Sequence, residues 1–223
     1  MPYKAIRKNP SAPQVAPEII AALHEIPVAA LSDNMHRNIG SVGLRPYHRP
    51  GRKTMAGTAV TVKTRGGDNF TMMRAFEFCR PGDVLVIDAG GDVTNAVIGG
   101  ILSFYAATIG TVGVVLDGAI RDVAEIRERD FPVYARGVNH RGPYKDGPGE
   151  INVPVSVGGM VVNPGDIVVG DQDGLMAFAR DEAELLIEKA HAHLATEART
   201  IQAMKEGRWD RSFLDALEAR CAN

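Results

Sequence analysis

Arg121 and Asp122 follow closely on Asp117-Gly118 at the end of an apolar run, Thr111 to Leu116. A guanidinium presents a planar fork of donors that suits a carboxylate or a phosphate. A carboxylate is a hard oxygen ligand that suits Mg²⁺ or Mn²⁺. In isolation the pair also reads as an ordinary helix start, with an acidic first turn favoured by the helix dipole. Lys63 is a second candidate, because a lysine in a pocket can form a Schiff base with a keto acid, although a strand lysine usually points to solvent. His140 is a candidate base or ligand in a loop where most histidines are exposed or structural. His191 and His193 are two apart on a helix and cannot share a face. Cys79 and Cys221 form neither a disulfide framework nor a zinc site. Asp171-Gln172-Asp173-Gly174 lacks the remaining acidic ligands of a calcium loop and reads as a hairpin turn.

The elements that position Arg121 and Asp122 can be read from the pattern around them. Asp83 to Ala89 is a β-branched apolar run bounded by glycines, hence a buried strand. Thr94 or Asn95 can cap a helix from Ala96 to about Thr108, and Gly110 closes it. Thr111 to Leu116 is a second buried strand, broken by Asp117-Gly118, and a new helix starts at Asp122 and runs to about residue 130. A β-α-β-α unit implies a parallel pair with a right-handed crossover, with ligands beyond the carboxyl ends of the strands. Arg121 and Asp122 fall at that edge.

Upstream, residues 1–13 read as an arm wrapped on a neighbour. Pro17 opens a helix through about Glu25, Ala29 to Asn38 forms another, and residues 40–53 form a loop. Gly57 to Thr64 alternates as a strand with one face covered, and Asp68 or Asn69 caps a helix through Phe78. Downstream, Phe131 to Ala135 is a strand, and the glycine-rich loop 137–150 has the length and composition of a functional loop. Asn152–Val157, Met160–Val162, Asp166–Gly170 and Leu175–Phe178 are short strands between turns. Asp181 caps a long helix from about Glu182 to Lys205, with Glu184 as its capping-box partner. Residues 207–223 close the chain, packed by Trp209, Phe213 and Leu217. The expected architecture is a layered α/β/α-type domain spanning residues 1–223, with a central mixed sheet and a helical extension over 181–223.

Composition excludes several classes. With 45% hydrophobic residues, 23% charged residues and a net charge of -2, the chain has ordinary globular values and no basic stripe for nucleic acid. No apolar run approaches the 18 or so residues needed to span a bilayer. MPYKAIRKNPSAP lacks the apolar core of a signal peptide, so a cytoplasmic location is expected. No phosphate-cradling P-loop or G-x-G-x-x-G motif occurs.

The segments DNFTMMRAFEFCRPGDVLVIDAGG, GGILSFYAATIGTVGVVLDGAIRDVAEI, FPVYARGVN and GEINVPVSVGGMVVNPGDIVVGDQDGLMAF resemble the RraA-like family. That family includes the 4-hydroxy-4-methyl-2-oxoglutarate aldolases, also called 4-carboxy-4-hydroxy-2-oxoadipate aldolases. The resemblance runs through about residues 30 to 180, and D-G-x-x-R-D is its sharpest motif.

The resemblance implies a divalent-metal-dependent pyruvate aldolase, a carbon–carbon lyase, with Mg²⁺ or Mn²⁺ held mainly by Asp122 and waters. Arg121 would pair with the keto-acid carboxylate. Backbone amides of Gly99, Gly100, Ile101 and Leu102 would complete the grip, and Lys145 matches a lysine of the family pattern. A glutamate from a neighbouring subunit would reach the metal through water, with Glu197 the candidate, in a homotrimer or hexamer. Because the same enolate forms when oxaloacetate loses CO₂, oxaloacetate decarboxylation is expected alongside aldol cleavage.

This chain departs from the pattern at two places. Met73 stands where the family usually has histidine. Gly100 stands where many aldolases of the family carry an Asp or Glu that assists proton transfer at the leaving carbonyl through water. A positioned acid or base typically contributes about 10²–10⁴ in rate, so binding is expected to survive better than aldolase turnover. The alternative is a regulator like RraA, which inhibits an RNA-processing endonuclease; such regulators tend to lose the R-D pair that this chain keeps. Binding of S-adenosylmethionine finds no support in the sequence.

Overall fold

A computed structural model describes residues 6–50 and 53–221. In chain order the elements are β1 (Ile6–Lys8), α1 (Pro17–Leu23), α2 (Val28–Asp33), β2 (Arg45–Pro46), β3 (Met55–Thr64), α3 (Phe70–Ala75), β4 (Asp83–Asp88) and β5 (Ala96–Ile98). They continue with α4 (Gly100–Thr108), β6 (Gly113–Ile120), α5 (Val123–Glu128), β7 (Val133–Val138), β8 (Gly149–Ile151), β9 (Val155–Val157) and β10 (Met160–Val162). Last come β11 (Ile167–Gly170), β12 (Leu175–Phe178), α6 (Ala183–Lys205) and α7 (Phe213–Cys221).

Strands β3, β4, β6 and β7 run parallel side by side and form the centre of the sheet. Antiparallel strands complete it: β2 on the outer side of β7, and β11 and β8 along the two halves of β3. The sheet is therefore mixed, as the pattern implied. Successive side chains of a strand face opposite sides. Val84, Val86 and Val115 accordingly pack into one core with α1, α2 and α6. Leu85, Ile87, Val114 and Leu116 pack into the other, which α3, α4 and α5 cover. Burial of β3 on both faces replaces the expected half-covered strand; apart from Lys63 all its residues are buried.

Several boundaries differ from expectation for identifiable reasons. Ala96–Ile98 is a strand, not the first turn of a helix, because it pairs with the end of β6. Asp117-Gly118 does not break β6; the strand continues to Ile120, since Asp117 is paired with Arg136 and accepts the Gly158 N–H at 2.7 Å. Residues 6–8 of the expected arm add to the chain's own sheet beside β8, while residues 1–5 lie outside the described residues. The second helix stops at Asp33, and the stretch after it turns through positive φ at His36 and Arg37. The C-terminal helix has no side-chain cap from Asp181 or Glu184; it is entered through a 3-10 turn, Arg180–Glu182, in which the Glu182 carboxylate accepts the Ala179 N–H. Trp209, Phe213 and Leu217 do not pack the chain end; they are 43%, 50% and 40% exposed. Among the described residues no helix is long and apolar enough to cross a membrane.

His48 lies buried edge-on to Tyr134, and its Nδ1 accepts the Val133 N–H at 3.1 Å. Burial holds the imidazole below its ordinary value of 6.5. On acidification the unfolded chain therefore binds the proton first, and stability is lost as pH falls below the unfolded value. The melting temperature of the wild type should fall more steeply than that of His48→Gln between about pH 7 and about pH 5. Parallel pH profiles would show that His48 contributes nothing to the acid sensitivity.

Candidate active site

The carboxyl ends of β5 and β6 open onto a cavity of about 290 Å³, walled by Asn69, Met73, Ile98, Leu102, Arg121, Asp122, Pro143 and Lys145 among others. Helix α4 begins at its edge. The sequence puts Gly99–Leu102 early in a helix begun at Ala96, with amides free of intrahelical partners. The structure starts the helix later, with Gly99 as N-cap and Gly100 as the first helical residue, and the amides of Gly100, Ile101 and Leu102 are those free donors. Such an end welcomes an anion.

One of these donors is taken. The Gly100 N–H is bonded to Asp122 Oδ2 at 2.9 Å. Asp122 sits at the N-cap of α5 with φ of 59°, in the left-handed region. Aspartate tolerates that conformation better than most residues, but it is still a costly one that must be over-determined by its surroundings. Oδ1 carries no hydrogen bond among the described residues, and the side chain is 43% exposed. Arg121 Nε lies 3.6 Å from Asp122 Oδ2, and the Arg121 amide is bonded to the Ile98 carbonyl at 3.0 Å. The register of β5 on β6 thus sets where the guanidinium stands. Gly99 is required here: a Cβ on it would strike Asp122 Oδ2 and the Arg121 side chain.

Lys145 comes from the loop between β7 and β8, and Asp68 brings that loop to the site. Asp68 is fully buried. Its Oδ1 accepts the Phe70 N–H at 2.9 Å and so caps α3; its Oδ2 accepts the amides of Asp146 at 2.7 Å and Gly147 at 3.0 Å. Backbone bonds from Tyr144 to Gly67 and from Asn69 to Tyr144 extend the seam. The capping role of Asp68 was legible in the sequence, whereas its hold on residues almost eighty positions away was not. The sequence offers Asn69 only as a cap. In the structure it lines the cleft, and its buried Oδ1 has no partner among the described residues.

Lys63, His140 and Cys79 are not among the residues that line the cleft. Lys63 is exposed on its strand, and His140 is exposed in the loop. Burial pushes the Cys79 thiol up to about 12, so it is no thiolate nucleophile near neutrality. Glu197 lies on α6 beside His193, 3.2 Å from its Nε2, in a groove separate from this cleft. A larger cavity, about 710 Å³, is lined by His48, Thr54, Val112, Tyr134 and Asp171 at the amino ends of the parallel strands. Part of its polar lining is already engaged: Tyr134 bonds to the Asp171 carbonyl, the Asp171 carboxylate accepts the Val28 N–H, and Lys53 pairs with Glu25.

A family model described as RraA-like, Aldolase/RraA, matches residues 28–177. The chain belongs to the RraA-like family. Among its relatives is a protein of Halalkalibacterium halodurans provisionally named 4-hydroxy-4-methyl-2-oxoglutarate aldolase, 35% identical over 85% of this chain and 90% of that one. Streptomyces coelicolor RraAS2, described as an unusual member of the RNase ES inhibitor RraA protein family, is 27% identical. It superposes with a TM-score of 0.75 over 84% of this chain and 97% of that one. The RNA-processing inhibitor RraA from Thermus thermophilis is 32% identical, with a TM-score of 0.62 over 69% of this chain and 93% of that one. The sheet, its two helical layers and the long C-terminal helix are those of this RraA fold.

The donor set fits the divalent metal that the family resemblance implies. No group of three or more His, Cys, Asp or Glu gathers into a metal cage among the described residues. One outward carboxylate oxygen on an open cleft remains. It suits a hard cation that keeps most of its water shell and suits poorly a softer metal that needs nitrogen or sulfur.

Two changes test how the site is built. Gly99→Ala should displace Asp122 and lower metal affinity by about tenfold or more, read by isothermal titration with Mn²⁺. Asp68→Ala should strip the partners from buried amides and cost about 3 kcal/mol in urea denaturation, with faster proteolysis within residues 139–148.

Proposed function

We propose that this protein is a divalent-metal-dependent pyruvate aldolase acting on 4-hydroxy-4-methyl-2-oxoglutarate or a related 4-hydroxy-2-oxo acid, with oxaloacetate decarboxylation as a companion activity. The observation that carries the reading is the junction of Arg121, Asp122 and the α4 N-terminus in one cleft. A relative provisionally named as such an aldolase supports it.

Each group has a role in this reading. Asp122 holds Mg²⁺ or Mn²⁺ through its free oxygen. When bound, the metal supplies Lewis-acid stabilisation of the charge that develops on the keto oxygen as the C–C bond breaks. Arg121 pairs with the keto-acid carboxylate, and the amides of Ile101 and Leu102 add donors to the same anion. Lys145 lines the same cleft and suits a second carboxylate on the substrate. Met73, Val97, Ile98 and Leu102 give the cleft an apolar wall, which keeps water from the reacting carbons.

Assembly as a homotrimer or hexamer is part of the reading. Ile101, Phe104 and Tyr105 on α4 and Tyr144 in the loop are 80%, 58%, 47% and 57% exposed around the cleft. An apolar rim of that kind marks a surface that another chain covers. A neighbouring Glu197 would then be free to approach the metal through water.

A second reading, a regulator that binds an RNA-processing endonuclease, is favoured by the relatives described as RNase ES and RNA-processing inhibitors. Oxaloacetate decarboxylation in EDTA-treated buffer, with and without Mg²⁺ and corrected for the metal's own effect, separates the two. The aldolase reading expects saturable, metal-requiring turnover that Asp122→Ala abolishes. Arg121→Ala should weaken pyruvate binding by about 10–100-fold, the loss of a charge-assisted pair. Metal-dependent turnover that persists in Asp122→Ala would sink the site; absence of turnover with either metal would favour the regulator.

A further inference from the structure

Helix α3 contributes two residues to the cleft, Asn69 and Met73. Asn69 is the N-cap residue, and the Met73 amide is bonded to its carbonyl at 2.9 Å, so the two stand one turn apart on the same face. Met73 packs against the core that holds Val97 and Ile98, and these residues line the cleft with it. Near the end of the same helix Phe76 meets Tyr105 of α4 edge-on, with ring centres 5.0 Å apart, which joins the two helices through apolar atoms. Val97, Ile98 and Leu102 belong to the strand and helix that carry the grip on the keto acid. Met73 comes from a different element, and that element brings no charged group to the cleft.

The supply of positive charge is limited. Among the described residues that line the cleft, Arg121 and Lys145 are the cations. Those nearby are committed elsewhere: Arg65 pairs with Asp68 at 3.3 Å and lies over the Tyr144 ring, Arg74 on α3 pairs with Glu77 at 2.7 Å, and Arg129 pairs with Glu125. The Asn69 carboxamide is polar but neutral. A neighbouring Glu197, in the assembly proposed above, would add negative charge.

We propose that the cleft selects a dicarboxylic 4-hydroxy-2-oxo acid with a small alkyl group on C4, and that Met73 sets this choice. The inference rests on the aldolase reading and narrows its substrate class. Arg121 takes the carboxylate beside the keto group, Lys145 takes the carboxylate on C4, and the alkyl group lies against Met73. In 4-hydroxy-4-methyl-2-oxoglutarate that group is a methyl. In 4-carboxy-4-hydroxy-2-oxoadipate it is a carboxymethyl, whose charge would meet an apolar wall with both cations already taken. A carboxylate withdrawn from water without a partner costs far more than burial of a methyl returns. The same C3–C4 bond breaks in both acids, so the discrimination comes from accommodating the third carboxylate and not from the bond cleaved.

Cleavage of the two acids, followed as pyruvate released, tests the choice. The wild type should favour the 4-methyl acid by about 10²-fold in kcat/KM. Met73→Lys, which places an ammonium on a stem of similar length, should shrink that preference by about tenfold, through a lower KM for the tricarboxylic acid. Met73→Leu, which keeps the wall apolar, should retain the preference. Oxaloacetate carries no group of this kind, so its decarboxylation should continue in both variants and shows that each is folded with the rest of the site in place.

Equal kcat/KM for the two acids in the wild type would overturn the inference and leave the aldolase reading standing. So would a preference that Met73→Lys leaves unchanged while decarboxylation continues, or one that Met73→Leu erases as fully as Met73→Lys. A wild type that cleaves neither acid would overturn both.

Discussion

The site depends on one hydrogen bond, from the Gly100 amide to Asp122 Oδ2. It joins the first residue of one helix to the N-cap of the next, and it holds Asp122 in a left-handed backbone conformation that would otherwise relax. Because Asp122 is fixed, so is the direction of its free oxygen, and because Arg121 precedes it on the end of β6, so is the guanidinium. The parallel sheet supplies the rest. β5 and β6 end together, and the Arg121 amide closes on the Ile98 carbonyl. A carboxylate, a cation and a helix N-terminus are thereby brought to one edge without any of them being carried on a free loop.

Lys145 is the exception, since its loop spans residues 139–148. Its order comes from Asp68, a buried carboxylate that accepts the amides of Phe70, Asp146 and Gly147 and pairs with Arg65 at 3.3 Å. A buried charge of this kind is tolerated only when its acceptors are filled. Here the same residue starts α3 and seats the loop, so the apolar wall from Met73 and the cation of Lys145 share one anchor.

The sequence showed what depends on local pattern. β12 at Leu175–Phe178 and β10 at Met160–Val162 have the bounds that their apolar runs and flanking turns predict. The Arg121-Asp122 pair falls at the strand edge where the β-α-β-α reading placed it. What long-range pairing decides was not legible. Ala96–Ile98 looked like the front of a helix because its partner, the far end of β6, lies some twenty residues on. Asp117 looked like a strand breaker because nothing near it announces Arg136 as its counter-charge. Trp209, Phe213 and Leu217 have the composition of a packed end, yet composition does not say against what they pack.

The molecule also shows why cavity size is a poor guide to chemistry. In the larger cavity, at the amino ends of the strands, part of the polar lining is already engaged, Tyr134 with the Asp171 carbonyl and Lys53 with Glu25. At the carboxyl ends the cavity is less than half that volume, yet it holds a carboxylate oxygen, a guanidinium, an ammonium and helix-terminal amides without full partners among the described residues. Residual bonding capacity is what a substrate can use, and it is concentrated where parallel strands end and helices begin. The departures at Met73 and Gly100 leave this capacity in place. They remove one polar side chain from the wall and one from the turn, and the groups that grip an anion and a hard cation come from neither position.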